Sequence, residues 1–403
     1  MNHHNDRPML SRRNALLGLG AAVTLGRSSL AMAAAPTDRR LVVVILRGAM
    51  DGLAAVIPYG DPGLLAQRAS LLPPAPGQPG GMLDLGGFFA LHPVLAGMHA
   101  MYADGQLLPV HAVAGHVRTR SHFEAQDLME GGADLRMSSG WLNRAVAAMP
   151  RNQQGSGEAA LSVGISTPLL LRGPAPVGAY APQSFTQPEP DLYARLVAMH
   201  SKDPITGPAL RQGLTERGFT ATQLTGHEPS AQGGNKYAFA TLAGTAGRLL
   251  AAVNGPRIAA MELGGWDTHA GQSQRLNAPL KQLDDGMVAL KTGLGDAWSR
   301  TAVLLMTEFG RTVHVNGTGG TDHGTGTVAF VLGGAVAGGR VRADWPGLAD
   351  AKLLEGRDLQ PSLDLRALAK GLLAAHLGLG GPALALAFPG SEAVPPANGL
   401  IRA

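Results

Sequence analysis

The sequence predicts an α/β fold in which a mostly parallel central sheet is flanked by helices on both faces. Short, continuous apolar runs recur along the chain, as is typical of strands buried on both faces. Longer segments with helical periodicity separate these runs, and strands that alternate with helices form parallel or mixed sheets. The chain has 403 residues, of which 45% are hydrophobic and 15% are charged, so it can bury a large core.

Five apolar runs are the predicted strands, and glycine or polar residues follow each of them. They lie at 41–46, 107–113, 257–263, 301–306 and 328–332. The clearest helical periodicities lie at 93–102, 121–130, 141–149, 236–254, 272–299 and 362–377. From about residue 150 to 208 the composition shifts towards proline, glycine, serine and glutamine, which is typical of irregular segments. We therefore expect one domain over residues 34–403 with an inserted cap region at about 150–255.

The first 33 residues predict an export signal. Ser11-Arg12-Arg13 precedes an apolar stretch over 15–25, and Ala31-Met32-Ala33 fits a cleavage site made of small residues. The paired arginines resemble the twin-arginine signal, which directs folded proteins to the twin-arginine export machinery. The stretch is shorter than the ~20 residues that span a bilayer. We expect a mature protein that begins near Ala34, has no transmembrane anchor and is periplasmic or secreted.

Charge and cysteine content exclude several classes of site and partner. The net charge is +4, and residues 1–33 contribute +3 of it. The rest of the chain is nearly neutral and contains no basic stripe, so nucleic acid is not a predicted partner. The absence of cysteine excludes disulfides, thiolate zinc sites, iron–sulfur clusters and a cysteine nucleophile.

Acidic residues and histidines follow several of the predicted strands. Ligand sites of such sheets lie beyond the carboxyl ends of the strands, so we expect these side chains to meet at one edge. Carboxylates and imidazoles without thiolates suit Zn, Mn, Mg or Ca, and we expect one or two such divalent ions. The candidate metal ligands are Asp51, Asp267, His269, Glu308, Asp322 and His323.

Each candidate ligand also has a purely structural interpretation. Asp51 fits a helix N-cap or a turn, and Asp267-Thr268-His269 fits a polar turn after a glycine pair. Asp322-His323 favours a site more strongly, because half of the residues in 317–326 are glycines that allow the backbone to approach an ion closely. A flexible loop alone does not need an adjacent aspartate and histidine.

Ser121 opens a predicted helix and has two interpretations. Ser121-His122-Phe123-Glu124 fits a capping box, in which the serine only caps the helix. A helix N-terminus also accommodates phosphate, which would make Ser121 a nucleophile and His122 a ligand or an orienting residue. Arg47 or Arg311 would neutralise an anionic substrate, although a Glu308–Arg311 surface ion pair, which would contribute little to stability, is the alternative.

Nine motifs lie in order along the chain, and they begin at Arg47, Ser121, Gly140, Trp266, Thr307, Gly320, Gly333, Trp345 and Arg357. Together they resemble an exported bacterial family catalogued as domain of unknown function 1501. The resemblance covers nearly the whole chain after residue 33, and the family is placed in the alkaline phosphatase–sulfatase superfamily. It therefore implies an alkaline phosphatase-like fold and metal-dependent hydrolysis of phosphate or sulfate esters.

The resemblance also implies roles for single residues. It makes Ser121 the nucleophile and assigns the metal ligands in chain order to Asp51, Asp267, His269, Asp322 and His323. Two departures stand out: Asp267 and His269 are two residues apart rather than four, and Glu308 stands where an aspartate usually ends a strand. Either Glu308 replaces that aspartate and Asp322-His323 supply the downstream ligand, or Asp322-His323 are that pair, displaced by a loop.

Two functions remain open from the sequence. The first is an exported metal-dependent hydrolase acting on small anionic esters of phosphate or sulfate. The alternative is a non-catalytic periplasmic protein that binds a metal or a partner on a degenerate hydrolase fold.

Overall fold

The computed structural model describes residues 28–29, 38–149, 159–181, 199–200, 203 and 238–402. Nearly all of the predicted export signal lies outside these residues. Within the described ranges, none of the helices combines the length and the apolar character needed to cross a membrane.

A nine-stranded central sheet forms the middle layer, and five of its eight neighbouring strand pairs are parallel. Its strands are β1 (Ser28–Ser29), β2 (Arg40–Leu46), β6 (Leu107–Ala114), β7 (Ala160–Val163), β8 (Val177–Tyr180), β9 (Ile258–Leu263), β10 (Thr301–Met306), β11 (Thr327–Leu332) and β12 (Leu363–Asp364). They are ordered β1-β8-β7-β9-β2-β10-β11-β6-β12 across the sheet. A smaller antiparallel sheet contains β3 (Val56–Ile57), β4 (Leu83–Asp84) and β5 (Ala90–Leu91).

Ten α-helices accompany these strands in the described residues. They are α1 (Gly52–Ala55), α2 (Leu64–Arg68), α3 (Ala96–Ala103), α4 (His122–Gly131), α5 (Trp141–Ala148), α6 (Phe239–Ala251), α7 (Gln272–Arg275), α8 (Asn277–Leu294), α9 (Leu365–Ala375) and α10 (Gly381–Ala387). Short 3₁₀ turns lie at Ala69–Leu71, Leu169–Leu171, Gly295–Arg300 and Asp350–Lys352.

Helices cover both faces of the central sheet, because alternate residues of a strand point to opposite sides. On one face, Val42 and Val44 of β2 share a core with side chains of α3, α6 and α8. On the other face, Leu41 and Val43 share a second core with α5, α9 and α10. The predicted fold class, a mostly parallel sheet between two helical layers, is confirmed.

Part of the region predicted as a cap, at about 150–255, lies among the described residues, where it contributes to the central sheet and to one helical layer. Strands β7 and β8 extend the central sheet next to β9, and α6 packs against α8. These strands have four residues each, so their apolar runs were too short to predict. Residues 150–158, 182–198, 201–202 and 204–237 of the expected cap lie outside the described residues.

Strand register brings the candidate residues to one edge of the sheet. The parallel neighbours β9, β2 and β10 end level with one another, at Leu263, Leu46 and Met306. β11 runs antiparallel to β10, so the chain that enters β11 arrives at the same edge. β6 is antiparallel to β11 and therefore ends at this edge, where it leads to α4.

Candidate metal centre

Three histidine rings meet at this edge. His122 is the first residue of α4, His269 lies in the loop after β9, and His323 lies in the loop before β11. The Nε2 atom of His323 is 3.0 Å from Nε2 of His122 and 2.9 Å from Nε2 of His269. Three chain segments thus direct the same ring nitrogen towards one point.

The opposite nitrogen of each ring has an acceptor as its partner. Because a carboxylate or a carbonyl can only accept, Nδ1 of each ring carries the hydrogen, and the Nε2 atom of a neutral ring keeps its lone pair. The Nδ1 partners are Glu308 Oε1 for His122 at 2.8 Å, Asp322 Oδ1 for His269 at 3.1 Å and the Arg120 carbonyl for His323 at 2.8 Å.

Asp267 adds a carboxylate to the same point. Its Oδ1 lies 3.1 Å from Nε2 of His269 and 3.4 Å from Nε2 of His323, and its Oδ2 lies 3.6 Å from Nε2 of His122. Ligand atoms of His122, Asp267 and His323 all lie within 4.8 Å of one another. Three lone pairs and a carboxylate at this spacing repel one another unless a cation lies among them, so the donor set fits a divalent ion.

Glu308 lies behind His122, where both of its carboxylate oxygens accept hydrogen bonds. Oε1 accepts from the Gly48 amide at 2.8 Å and from Gln126 at 2.9 Å as well as from His122, and Oε2 accepts from Thr307 at 2.9 Å. Burial disfavours the ionised carboxylate, but the bonds from His122 and Gln126 outweigh it and lower the pKa of Glu308. The ionised carboxylate in turn raises the pKa of His122.

Asp51 lies outside the histidine cluster, at the N-terminus of α1. Its Oδ1 accepts from the Leu53 amide as a helix cap, and its Oδ2 accepts from Arg68 at 2.7 Å and from Gln272. Gln272 also accepts from Thr268 and Thr321, which stand beside Asp267, His269 and Asp322 in the chain. Asp51 therefore anchors two ligand loops from behind, in agreement with its N-cap interpretation.

Arg47 and Arg311 both lie within internal networks. Arg47 pairs with Glu130 and Glu262 and donates to Gln126. Arg311 is buried, donates to Asp267 and also donates to the backbone carbonyls of Gly48, Ala49, Trp266 and Thr321. The Arg311 guanidinium thus ties together the loops that follow β2, β9 and β10, and with burial opposing, it lowers the pKa of Asp267.

Ser121 is exposed and directly precedes the ligand residue His122. It occupies the N-cap position of α4, but its hydroxyl makes no cap hydrogen bond. Glu124 accepts from Thr119 instead of closing a capping box with Ser121. The hydroxyl is therefore free of the cap role that the sequence offered as the alternative.

Sequence reasoning did not single out four partners of these residues. Gln126 holds Glu308, Gln272 and Arg68 hold Asp51, and the carbonyl of Arg120 holds His323. Of these four, Gln126 could have been singled out from the sequence, because it lies one helical turn after His122 on the same face of the helix.

Comparison with known proteins identifies the family. Residues 100–386 match the family model described as "Protein of unknown function (DUF1501)". The chain belongs to this family. A search of curated proteins found no match.

Solved structures similar to this chain include two hydrolases and one periplasmic domain. Alkaline phosphatase from the Antarctic bacterium TAB5 is 10% identical, with 75% of this chain and 91% of that chain covered and a TM-score of 0.33. Phosphonate monoester hydrolase of Agrobacterium radiobacter is 12% identical, with 77% and 72% covered and a TM-score of 0.30. The C-terminal periplasmic domain of EcEptC from Escherichia coli, in complex with Zn, is 10% identical, with 75% and 76% covered and a TM-score of 0.33. Likeness at this level carries no argument about activity, which must come from the site.

Proposed function

We propose that this protein is a metal-dependent hydrolase of phosphate or sulfate esters and that His122, His269, His323 and Asp267 hold its ion. The observation that carries the proposal is the convergence of three Nε2 atoms whose rings are fixed from outside through Nδ1. Outer hydrogen bonds of this kind orient histidine ligands and increase their basicity. Glu308 and Asp322 act in this proposal as outer partners and not as ligands.

The donor set favours zinc among the divalent ions. Mg²⁺ and Ca²⁺ prefer shells made of oxygen ligands, whereas imidazoles with one carboxylate suit Zn²⁺. A zinc ion in such a site lowers the pKa of bound water and polarises a phosphoryl or sulfuryl oxygen. The two-ion arrangement is less favoured, because Asp51 is buried and paired with Arg68.

Exposure of the ligands supports a catalytic rather than a closed structural site. The side chains of Asp267 and His269 are 47% and 45% exposed, so a solvent-borne ester can reach this side of the cluster. Ser121 offers an exposed hydroxyl next to a ligand residue, which supports its role as nucleophile. Arg311 holds Asp267 and the ligand loops in place.

Metal analysis and an ester panel test this proposal together. Protein purified without chelators should contain about one zinc per chain and should hydrolyse at least one phosphate or sulfate monoester. His323→Asn and Asp267→Asn should lose the metal and the activity. His314→Asn is the matched control, because this exposed histidine lies outside the cluster. A chain that binds no zinc, or variants that retain it, would contradict the proposed centre.

A non-catalytic metal-binding protein is the second candidate. The observation that favours it is the internal pairing of Arg47 and Arg311, the two cations that were expected to bind the substrate anion. This candidate is selected over the hydrolase if the protein binds one zinc per chain but turns over none of the esters. Ser121→Ala should then have the same zinc content as the wild type.

We also propose that residues 1–33 direct export of the folded protein by the twin-arginine machinery. Its support is the arginine pair followed by an apolar stretch. Replacement of Arg12 and Arg13 by lysine should retain the precursor in the cytoplasm, as followed by cell fractionation. Unchanged export of the double variant would contradict this route.

A further inference from the structure

An ion pair on the exposed side of His323 stands out from the other surface pairs. Arg120 contacts this ligand residue through its carbonyl, which accepts from Nδ1 of His323. Its guanidinium donates to Asp358 at 2.9 Å and to Glu355 at 2.8 Å. Asp358 is fully buried, whereas Glu355 is 63% exposed. Asp358 therefore holds the Arg120 guanidinium from the protein interior, and Glu355 pairs with it on the solvent side.

Without Glu355, the groups around Asp358 would carry more positive than negative charge. The Asp358 carboxylate accepts from Arg120, from Arg357 at 3.2 Å and from Thr325 at 2.8 Å. Arg357 also donates to the carbonyl of His323 at 2.8 Å. Two guanidinium groups thus share one buried carboxylate beside His323, and Glu355 supplies the second negative charge from outside.

The backbone under Glu355 is unfavourable for glutamate. Glu355 and Gly356 have φ of +55° and +63°, in a turn closed by a 3.1 Å hydrogen bond from Arg357 to Leu354. Positive φ at both central residues defines a type I′ turn, which prefers asparagine, aspartate or glycine. The residue preference of the turn therefore does not explain a glutamate at position 355. The ion pair between its carboxylate and Arg120 does explain it.

We propose that Arg120 forms an anion subsite next to the metal centre and that Glu355 occupies this subsite until an anionic ligand displaces it. This inference rests on the proposed function, because it makes Arg120 the residue that binds the phosphate or sulfate group of the substrate. An exposed carboxylate–arginine pair contributes little to stability, so it is easily exchanged. A tetrahedral oxyanion offers several oxygens to the fork of an arginine and can pair with it bidentately.

Binding of inorganic phosphate and of sulfate to the zinc-loaded protein tests the subsite directly by calorimetry. Glu355→Asn removes the carboxylate and suits the turn, so it should lower the dissociation constant for phosphate about tenfold, as expected for one competing charged hydrogen bond. Glu355→Gln should act in the same direction. Arg120→Gln should raise the dissociation constant for phosphate about tenfold or more. Arg120→Lys keeps the charge but loses the forked guanidinium, so its dissociation constant should lie between those of the wild type and Arg120→Gln.

Glu392→Gln is the control, because it removes an exposed negative charge far along the chain from the site. Thermal melting and zinc content show that each variant is folded and loaded. The inference is overturned if phosphate and sulfate bind neither the wild type nor Glu355→Asn. It is also overturned if the Glu355 or Arg120 variants bind them like the wild type.

The hydrolase proposal is measured separately, by turnover on esters. Tighter phosphate binding by Glu355→Asn without any turnover would uphold the anion subsite and reject the hydrolase. Turnover with a KM that does not change in the Arg120 and Glu355 variants would uphold the hydrolase and reject the subsite.

Discussion

The outer hydrogen bonds of the histidines decide, residue by residue, which nitrogen faces the centre. Glu308 is buried, and its carboxylate accepts hydrogen bonds from Gly48, Gln126, His122 and Thr307. It therefore requires a hydrogen on Nδ1 of His122, which leaves Nε2 available as a ligand.

Glu308→Gln is expected to weaken zinc binding by about ten- to a hundredfold, the usual effect of losing an outer partner of a metal ligand. The amide can turn its NH₂ group towards His122 and no longer selects the Nδ1 hydrogen. Chelator competition measures the change, and Glu124→Gln on the exposed side of the same helix is the control. Equal zinc affinity in the variant and the wild type would rule out this role for Glu308.

His111 makes folding stability depend on pH. The ring is buried, donates from Nε2 to the Val56 carbonyl at 3.0 Å and accepts the Ala112 amide at Nδ1, so it is neutral in the folded protein. Burial lowers its pKa from 6.5 to about 4. Between these values the unfolded chain binds more protons than the folded one, so stability is complete above pH 6.5 and falls towards pH 4.

The expected loss from this residue is about 3 kcal/mol of unfolding free energy between pH 6.5 and 4. Denaturant unfolding across this range measures it, and His111→Gln should flatten the pH dependence relative to the wild type. An unchanged slope in His111→Gln would show that another group causes the pH dependence.

The edge of the sheet is organised by loops that approach one another closely. Gly48, just after β2, has φ of +116°, and a Cβ atom at this position would lie 2.9 Å from the amide nitrogen of Asp267. Only glycine fits both the backbone angle and this distance. The loop after β2 therefore sets the position of the ligand loop after β9.

Gly48→Ala is expected to destabilise the fold by about 1–3 kcal/mol and to reduce zinc affinity, because Asp267 must move. Gly77→Ala is the matched control, since Gly77 also has positive φ but a Cβ atom there would meet no neighbour within 4 Å. Unfolding curves and zinc titrations distinguish them. Equal zinc affinities in the two variants would contradict the proposed coupling between the loops.

Long elements were predictable from the sequence, and short ones were not. The runs that form β2, β9, β10 and β11 stand out because each is mostly apolar and is followed by glycine or polar residues. β7 and β8 contribute four residues each and lack this contrast. The packing of the elements depends on contacts between residues far apart in the chain, such as Asp51 and Gln272. The periodicity of a single sequence does not predict such contacts.

At the scale of the whole molecule, the proposed ligands come from three distant parts of the chain. His122 and His323 are 201 residues apart and meet only because β6, β10 and β11 share one sheet. This is why the sequence indicated candidate residue types and a sheet edge but left open whether Glu308 replaces the expected aspartate or a loop displaces the pair Asp322-His323. The structure places His323 in the cluster and Glu308 behind His122.

Zinc is expected to raise the melting temperature, because an ion that binds only the folded chain stabilises it. The gain is about 2.7 kcal/mol at a free zinc concentration one hundred times the dissociation constant. Differential scanning calorimetry with and without a chelator measures it, with His323→Asn as the variant that should not respond. Equal melting temperatures for the loaded and the chelated wild type would contradict a metal centre built from these residues.

The separation of the three histidines along the chain has a consequence for how the ion is acquired. An unfolded or partly synthesised chain presents isolated imidazoles, which hold metal weakly and with little preference. Selective capture begins only once the strands have assembled. Under the proposed function, the metals available in the compartment where the chain folds therefore determine which metal ion the protein acquires.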